Sequence, residues 1–393
     1  MLATRRESFN SILSTIVRLN TPVHIVCLDA PSPADYGGAI DMHYKIKALA
    51  EVGTKIFLHY FSYNPSRDAK GLESYCEAVF TYKRKSIFKA LPLAQPFIVQ
   101  SRISNELIER LNKDVYPVLL EGLHCTGIIP FLNNEKRIIV RMHNEEASYY
   151  HHLAKTETSF IKRKYFLQES TLLKRYQQSL SKDLKLACLS ETDIEIFRKD
   201  YGLENAHFIP CFIPWQQLAS KEGLGNYCLY HGNMLVSENE EAALWLIRNV
   251  FSTLNFSFVI AGKGISKKLY VEAARHSNVT LINNPPMAKM DDLIDNAQVN
   301  VLPSMNSTGV KLKLLNALIN GRHCITNYNG IKGSKIKEGV VVVDAAEQWI
   351  EAINQLMQRP FKLNEIEKRK SILDLYNNQT AAKDLIALYS HYQ

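Results

Sequence analysis

The sequence lacks most of the signatures that would assign a chain at once. Its seven cysteines (Cys27, Cys76, Cys125, Cys188, Cys211, Cys228 and Cys324) are scattered, odd in number and form no C-x-x-C pair. That excludes a zinc ribbon and a disulfide scaffold, and points to buried thiols in a reducing compartment. No apolar run reaches transmembrane length and the N-terminus has no signal-peptide core, so a cytoplasmic protein is expected. There is no D-x-D pair, and His151–His152 is the one close histidine pair, so no metal is expected. No short repeat or low-complexity tract occurs. The 47 basic residues exceed the 39 acidic by eight, which favours an anionic partner. They form no long tract, so nucleic acid is not the expected one.

What is present is alternation. With 393 residues, two or three domains of about 150 residues are expected. The strand-like run at 24–28 leads into a turn at 31–38 holding Asp35, Tyr36, Gly37 and Gly38, and then into a helical pattern closed by Gly53. Similar strand, loop and helix units recur, with strand-like runs at 116–125 and 137–144 and a long helical region at 145–182. Residues 207–217 carry Pro210 and Pro214 and mark a boundary. The alternation then restarts at Tyr227, with Ser237 as the expected cap of a helix, and ends near Pro360. This predicts two α/β domains with parallel sheets, at 1–210 and 211–361, and a helical tail at 362–393 packing back on the first.

The stretch 299–333 is the most marked. A β-branched strand runs through Thr308 and Gly309 into a helix that carries Lys311 and Lys313 near its start. Cations there oppose the helix dipole unless an anion docks, and free N–H groups already favour phosphate. The plain alternative is two solvated lysines. Lys263 in the Gly262–Gly264 turn is a further phosphate candidate, although neither a dinucleotide fingerprint nor a P-loop is formed. Gly232 and Asn233 end another strand, and Glu121 and His143 end two more. All these loops follow strands, so they should line one cleft between two sheets. Two stretches suggest membrane contact beside the plainer reading of solvated surface: an amphipathic helix at 7–19, and residues 81–92 with Lys83, Arg84, Lys85 and Lys89 among Ile87, Phe88 and Leu91.

The order of motifs resembles the two-domain GT-B glycosyltransferases, specifically the retaining family 4. The motifs are PSPADYGGAIDMHYKIKALAEVG, LSETDIEIFRKDYG with FIPCFIP, YHGN, ENEEAALWL, VIAGKG, and VNVLPS with TGVKLKLLNALING and GIKG. The resemblance spans nearly the whole chain. It implies two Rossmann-like domains facing across a cleft and transfer of a sugar from a nucleotide-sugar with retention and no metal. The acceptor would be a glycan or a lipid-linked molecule. It also implies that His143 contacts the donor sugar. Glu121 and His124, at another strand end, are candidates to place the acceptor hydroxyl or act as base. The donor would be held by Gly232, Asn233, Lys263, Thr308, Gly309, Lys311, Lys313 and Asn316. The sequence departs from the family at Asn316, where a glutamate usually holds the ribose, and at Thr308, where another glutamate usually precedes the glycine. Three alternatives stay open: a GT-B epimerase, a phosphorylase (for which no pyridoxal-lysine context is found), and a non-catalytic nucleotide-sugar binding module.

Overall fold

A computed structural model describes residues 22–86, 95–157 and 159–389. The helix expected at 7–19 lies outside these residues, as do Ile87, Phe88, Lys89 and Leu91 of the basic stretch. The chain divides into two compact units. Unit 1 takes the described residues up to His151, Tyr165–Pro214, and those from Tyr376 onwards; unit 2 takes the described residues of 152–164 and Trp215–Leu375.

Unit 1 is one parallel sheet of seven strands. In chain order its elements include β1 (Val23–Cys27), α1 (Gly37–Glu51), β2 (Ile56–Ser62), β3 (Ala78–Lys83), β4 (Val118–Glu121), β5 (Ile138–Met142), β6 (Lys185–Cys188) and β7 (Ala206–Phe208). Helix α2 (Glu146–Thr156) starts just after β5. The strand order is β3-β2-β1-β4-β5-β6-β7. Every residue of β1, β4 and β5 is buried, as a parallel sheet covered on both faces requires. One core packs Val26, Leu120, Val140 and Leu186 on one face, and another packs Ile25, Ile46, Leu119 and Ile139 on the other. The second core is completed by Ala381, Ala382 and Leu385 of the C-terminal helix Asn378–Tyr389, which packs on α1. Asn378 fixes that helix by accepting from Ile213 N at 3.0 Å and donating to Ile213 O at 2.8 Å.

Unit 2 is a second parallel sheet, of six strands. It contains β8 (Tyr227–Asn233), α3 (Ser237–Leu246), β9 (Ser257–Lys263), β10 (Val279–Asn283), β11 (Val299–Val301), α4 (Leu312–Asn320), β12 (His323–Thr326) and β13 (Val341–Val342). The order β10-β9-β8-β11-β12-β13 repeats the winding of unit 1. Both units are thus doubly wound, with strand order reversing between β1 and β4 and between β8 and β11. Ligands of such sheets bind at those reversals, beyond the carboxyl ends of the strands. Helix α4 is held at its far end by Arg369, which is 1% exposed and donates to Leu318 O at 2.9 Å and Gly321 O at 2.7 Å.

Three details differ from the sequence reading. The strand expected over 116–125 is only four residues long; from Leu123 the chain turns in a tight 3-10 helix. The long helical region is two helices, Glu146–Thr156 and Phe160–Gln178. Ser237 is the first residue of α3 rather than its cap, and its hydroxyl lies 2.8 Å from Thr156 Oγ1.

Candidate active site

Helices α1, α3 and α4 each follow a strand at one of the two reversals. Their cap residues are Tyr36, Val236 and Lys311, and none makes a side-chain capping bond. The first N–H groups of each helix are therefore left to other partners, as at anion-binding helix starts.

In unit 2, the loop between β11 and α4 is tied into one shape. Ser304 N donates to Asn327 Oδ1 at 2.9 Å, Ser304 Oγ to Asn306 O at 2.8 Å, and Thr308 N to Asn306 Oδ1 at 3.2 Å. Asn306 in turn bonds Glu238 at the start of α3. Gly309 has φ +63°, a left-handed conformation that a β-carbon would strain. Lys311 caps α4 and folds back over the loop, donating to Thr308 O at 2.6 Å and to Asn306 Oδ1. Lys313, the second residue of the helix, donates to Asn239 Oδ1 at 3.0 Å and to Tyr230 Oη at 3.2 Å, with its ammonium 4.7 Å from the Tyr230 ring. Loss of solvent pushes the Lys313 pKa down to about 7, and Lys311 adds to the effect. His231 lies beside them, 6% exposed, with Nε2 buried and unpartnered. Burial, then Lys313, pushes its pKa to about 3, so it is neutral.

Gly232 and Asn233 close β8. The Asn233 carbonyl accepts from Asn239 Nδ2 at 2.9 Å, which sets the amide that Lys313 uses. A β-carbon on Gly262 would stand 1.8 Å from Gly232 O, so β8 and β9 can end side by side only with glycine there. Lys263, the last residue of β9, is exposed. Asn316 accepts from Asn320 Nδ2 at 2.6 Å through its side-chain oxygen. Its amide nitrogen makes no bond of its own among the described residues and is a donor for a ligand.

In unit 1, His143 stands just beyond β5. Its Nε2 is 3.0 Å from Glu121 Oε2 at the end of β4. The carboxylate accepts, so Nε2 is the donor in this bond and Nδ1 is the ring nitrogen left for another partner. Nδ1 faces the start of α1, 3.6 Å from where a β-carbon on Gly38 would be. Gly37 and Gly38 form the first turn of α1 rather than a preceding loop. Tyr36 Oη donates to Asp29 at 3.1 Å, and Asp35 is held by Arg67 at 2.5 Å.

Behind His143 lies an ion network that the sequence reading missed. Lys45 Nζ is within 2.9 Å of both Glu121 oxygens and donates to Asp41 Oδ2 at 2.7 Å. Arg141 forks onto Asp41 at 2.9 and 3.1 Å, and its remaining donors reach Ile209 O and Pro210 O. All four of Asp41, Lys45, Glu121 and Arg141 are at most 1% exposed. Burial raises the Asp41 pKa, but Arg141 and Lys45 outweigh it and hold the carboxyl well below the usual range. Glu121 is lowered in the same way, by Lys45 and His143 against burial. Glu121 is therefore shut away from any acceptor, and its carboxylate orients His143 instead. This corrects the expectation that it could act as base. Ligand atoms of Asp41, Glu121 and His143 lie within 4.8 Å of one another, a spacing suited to a cation. Lys45 and Arg141 already balance the two carboxylates, so the donor set does not fit a metal ion.

Likeness to solved structures covers both units. Sucrose-phosphate synthase from Thermosynechococcus elongatus has a TM-score of 0.68 at 16% identity, covering 95% of this chain and 99% of that one. WaaG, a glycosyltransferase involved in lipopolysaccharide biosynthesis, has a TM-score of 0.64 at 17% identity, covering 93% and 99%. At such identities the likeness establishes the fold, which is GT-B. Residues 225–359, which hold the second sheet with Lys311, Lys313 and the β11–α4 loop, match the family described as glycosyl transferases group 1. A relative from Klebsiella pneumoniae, an uncharacterized 44.6 kDa protein in cps region, is 26% identical over 344 residues, 82% of this chain and 87% of its own. No helix among the described residues is long and apolar enough to cross a membrane.

Proposed function

We propose that the protein is a retaining glycosyltransferase that moves a sugar from a nucleotide-sugar to a glycan or lipid-linked acceptor without a metal ion. The observation that carries this is the meeting of Lys311 and Lys313 at the start of α4, within the group 1 domain and beside a tied loop. The leaving diphosphate gains negative charge as the glycosidic bond breaks. Two ammonium groups and the open N–H groups of α4 stabilise it there. Asn316 donates to a ribose oxygen, and Lys263, Thr308, Gly309, Gly232 and Asn233 complete the donor site. In unit 1, Nδ1 of His143 bonds a sugar hydroxyl, and Gly37 and Gly38 open the approach. The enzyme then works in the cytoplasm, with any membrane contact peripheral. The alternative of a non-catalytic binder is told apart by turnover, since a binder gains stability with nucleotide but releases no diphosphate.

A thermal-shift screen of UDP-, GDP- and ADP-sugars tests the reading first. A ligand at about 100 times its Kd adds roughly 2.7 kcal/mol. The true donor should also release its nucleoside diphosphate when an acceptor is supplied. Stabilisation by none of the three would remove the basis of the proposal.

Replacing Lys311 and Lys313 together with alanine is expected to weaken donor binding by about two to four orders of magnitude, since charge-assisted hydrogen bonds contribute roughly 1.5–3 kcal/mol each. The melting temperature without ligand should change little. Donor affinity equal to wild type would place the diphosphate elsewhere.

Donor binding should also depend on pH. Lys313 has a pKa of about 7 in the empty site, and a bound diphosphate raises it. The complex then holds more protons than the free protein. Affinity is full below pH 7 and falls above it, by up to about tenfold per unit. Calorimetry in buffers of different ionisation heat should detect the proton uptake; affinity flat from pH 6.5 to 8.5 would contradict it.

Activity is expected to survive excess EDTA, because the candidate cation cluster among the described residues is already neutralised by Lys45 and Arg141. Full loss that magnesium or manganese restores would show that the diphosphate needs a metal after all.

A further inference from the structure

Unit 1 holds two guanidinium groups that no carboxylate balances. Arg84 lies just after β3, with the rings of Tyr63 and Phe97 each 5.0 Å from its guanidinium carbon. Its Nε donates to Ser101 Oγ at 3.1 Å. Arg102, 3% exposed, reaches the same hydroxyl at 3.4 Å through Nη1, which also donates to Ile98 O at 2.7 Å. Its Nε donates to Leu28 O at 2.7 Å, immediately after β1, so the pair stands at the strand reversal of unit 1. Among the described residues neither arginine has a carboxylate within 4.0 Å.

The nearby acids do not supply the missing charge. Glu169 gives its carboxylate to Phe97 N, at 3.0 and 3.2 Å. Burial, then Glu145, pushes the Glu146 pKa up to about 8, so it is largely protonated at neutral pH. His124 is close to both arginines, and its Nδ1 is buried without a partner. Burial, then Arg102, keeps its ring neutral.

Arg137 and Arg369, also buried, are paired differently. Arg137 has Asp114 at 3.5 Å, and Arg369 spends its terminal nitrogens on Ser220 Oγ and on the carbonyls of Leu318, Gly321, Arg322 and Gly339. By contrast, Nη2 of Arg102 and both terminal nitrogens of Arg84 make no hydrogen bond to a described residue. Two cations sharing one hydroxyl repel, and a ligand anion relieves that repulsion.

We propose that Arg84 and Arg102 bind an anionic group, phosphate or carboxylate, carried by the acceptor, with His124 as a further polar contact. The anion anchors the acceptor at the strand reversal where His143 stands, which leaves a hydroxyl of the same molecule for transfer. This rests on the reading that unit 1 is the acceptor side of a glycosyltransferase.

The test is calorimetric titration of the full chain with glucose 6-phosphate, inorganic phosphate, glucuronate and glucose, each with and without the nucleotide found by the donor screen. At least one anion should bind tenfold or more tightly than glucose. Tighter binding of phosphate compounds, or of glucuronate, names the group recognised. Arg84→Gln should weaken the anion at least tenfold and leave nucleotide binding unchanged. Arg84 is half-buried and bound by a single hydrogen bond, so this variant folds even if a change at Arg102 does not. Equal affinity for anions and glucose, or an unaltered Arg84→Gln, overturns the proposal. Loss of nucleotide binding in the wild type would count instead against the donor site.

Discussion

His143→Ala is expected to lower turnover by roughly 10²–10⁴-fold, the range for loss of a positioned acid–base group. Nucleotide affinity should hardly move, because the lysines proposed to bind the diphosphate belong to unit 2. The effect should reside in kcat more than in KM, since the ring makes its interaction with the reacting sugar. His143→Asn and Glu121→Gln probe the arrangement further. Asparagine keeps a polar group beside Gly38 but loses the imidazole base. Glutamine keeps the shape of Glu121 but removes the charge that orients His143, so its loss should be smaller. Wild-type turnover in His143→Ala would refute the assignment outright.

Asp41→Ala should destabilise unit 1 by about 3–5 kcal/mol, the cost of leaving buried charges without their partner. Asp41 receives hydrogen bonds from Lys45, Arg141 and Phe212 N, so its removal leaves Arg141 without a carboxylate, unpairs one amide and leaves Lys45 with Glu121 as its remaining acid partner. Urea denaturation at neutral pH measures this directly. The pH dependence carries the same sign. Asp41 is depressed in the folded state, so its contribution is complete above the unfolded value of about 3.9 and is lost as pH falls towards the folded one. The variant should therefore lack part of the acid-side slope of the wild type. A variant with the same midpoint as wild type would show that the network adds no stability.

The alternation of apolar runs with helical patterns was enough to read two parallel sheets, because β1, β4 and β5 are buried on both faces and so are apolar apart from His24, Glu121 and Arg141. Positions beyond strand ends were legible for the same reason: the polar residue after such a run, such as His143, lies at the carboxyl edge. The return of Lys311 over the loop was foreseeable from its place at the helix start. What stayed hidden depended on contacts distant in sequence. Asp41 and Lys45, four apart on α1, carry no sign of burial in the sequence itself. Their partners Glu121 and Arg141 come from two other strands, and only the sheet order brings them together. Arg102 was equally unreadable, because its acceptors are backbone carbonyls that carry no sequence signal.

The placement of the helix Asn378–Tyr389 has a consequence for how the chain acquires its structure during synthesis. Every strand of unit 2 precedes this helix in the chain, but the helix belongs to unit 1 and covers α1 there. As the polypeptide leaves the ribosome, unit 2 has all its strands before unit 1 has its last layer. Throughout that interval the outer surface of α1, and the backbone of Ile213 that Asn378 later satisfies, remain open to water and to other nascent chains. The part of the molecule whose first strand is made earliest is thus the part finished last. Chaperone dependence and co-translational aggregation should therefore trace to unit 1.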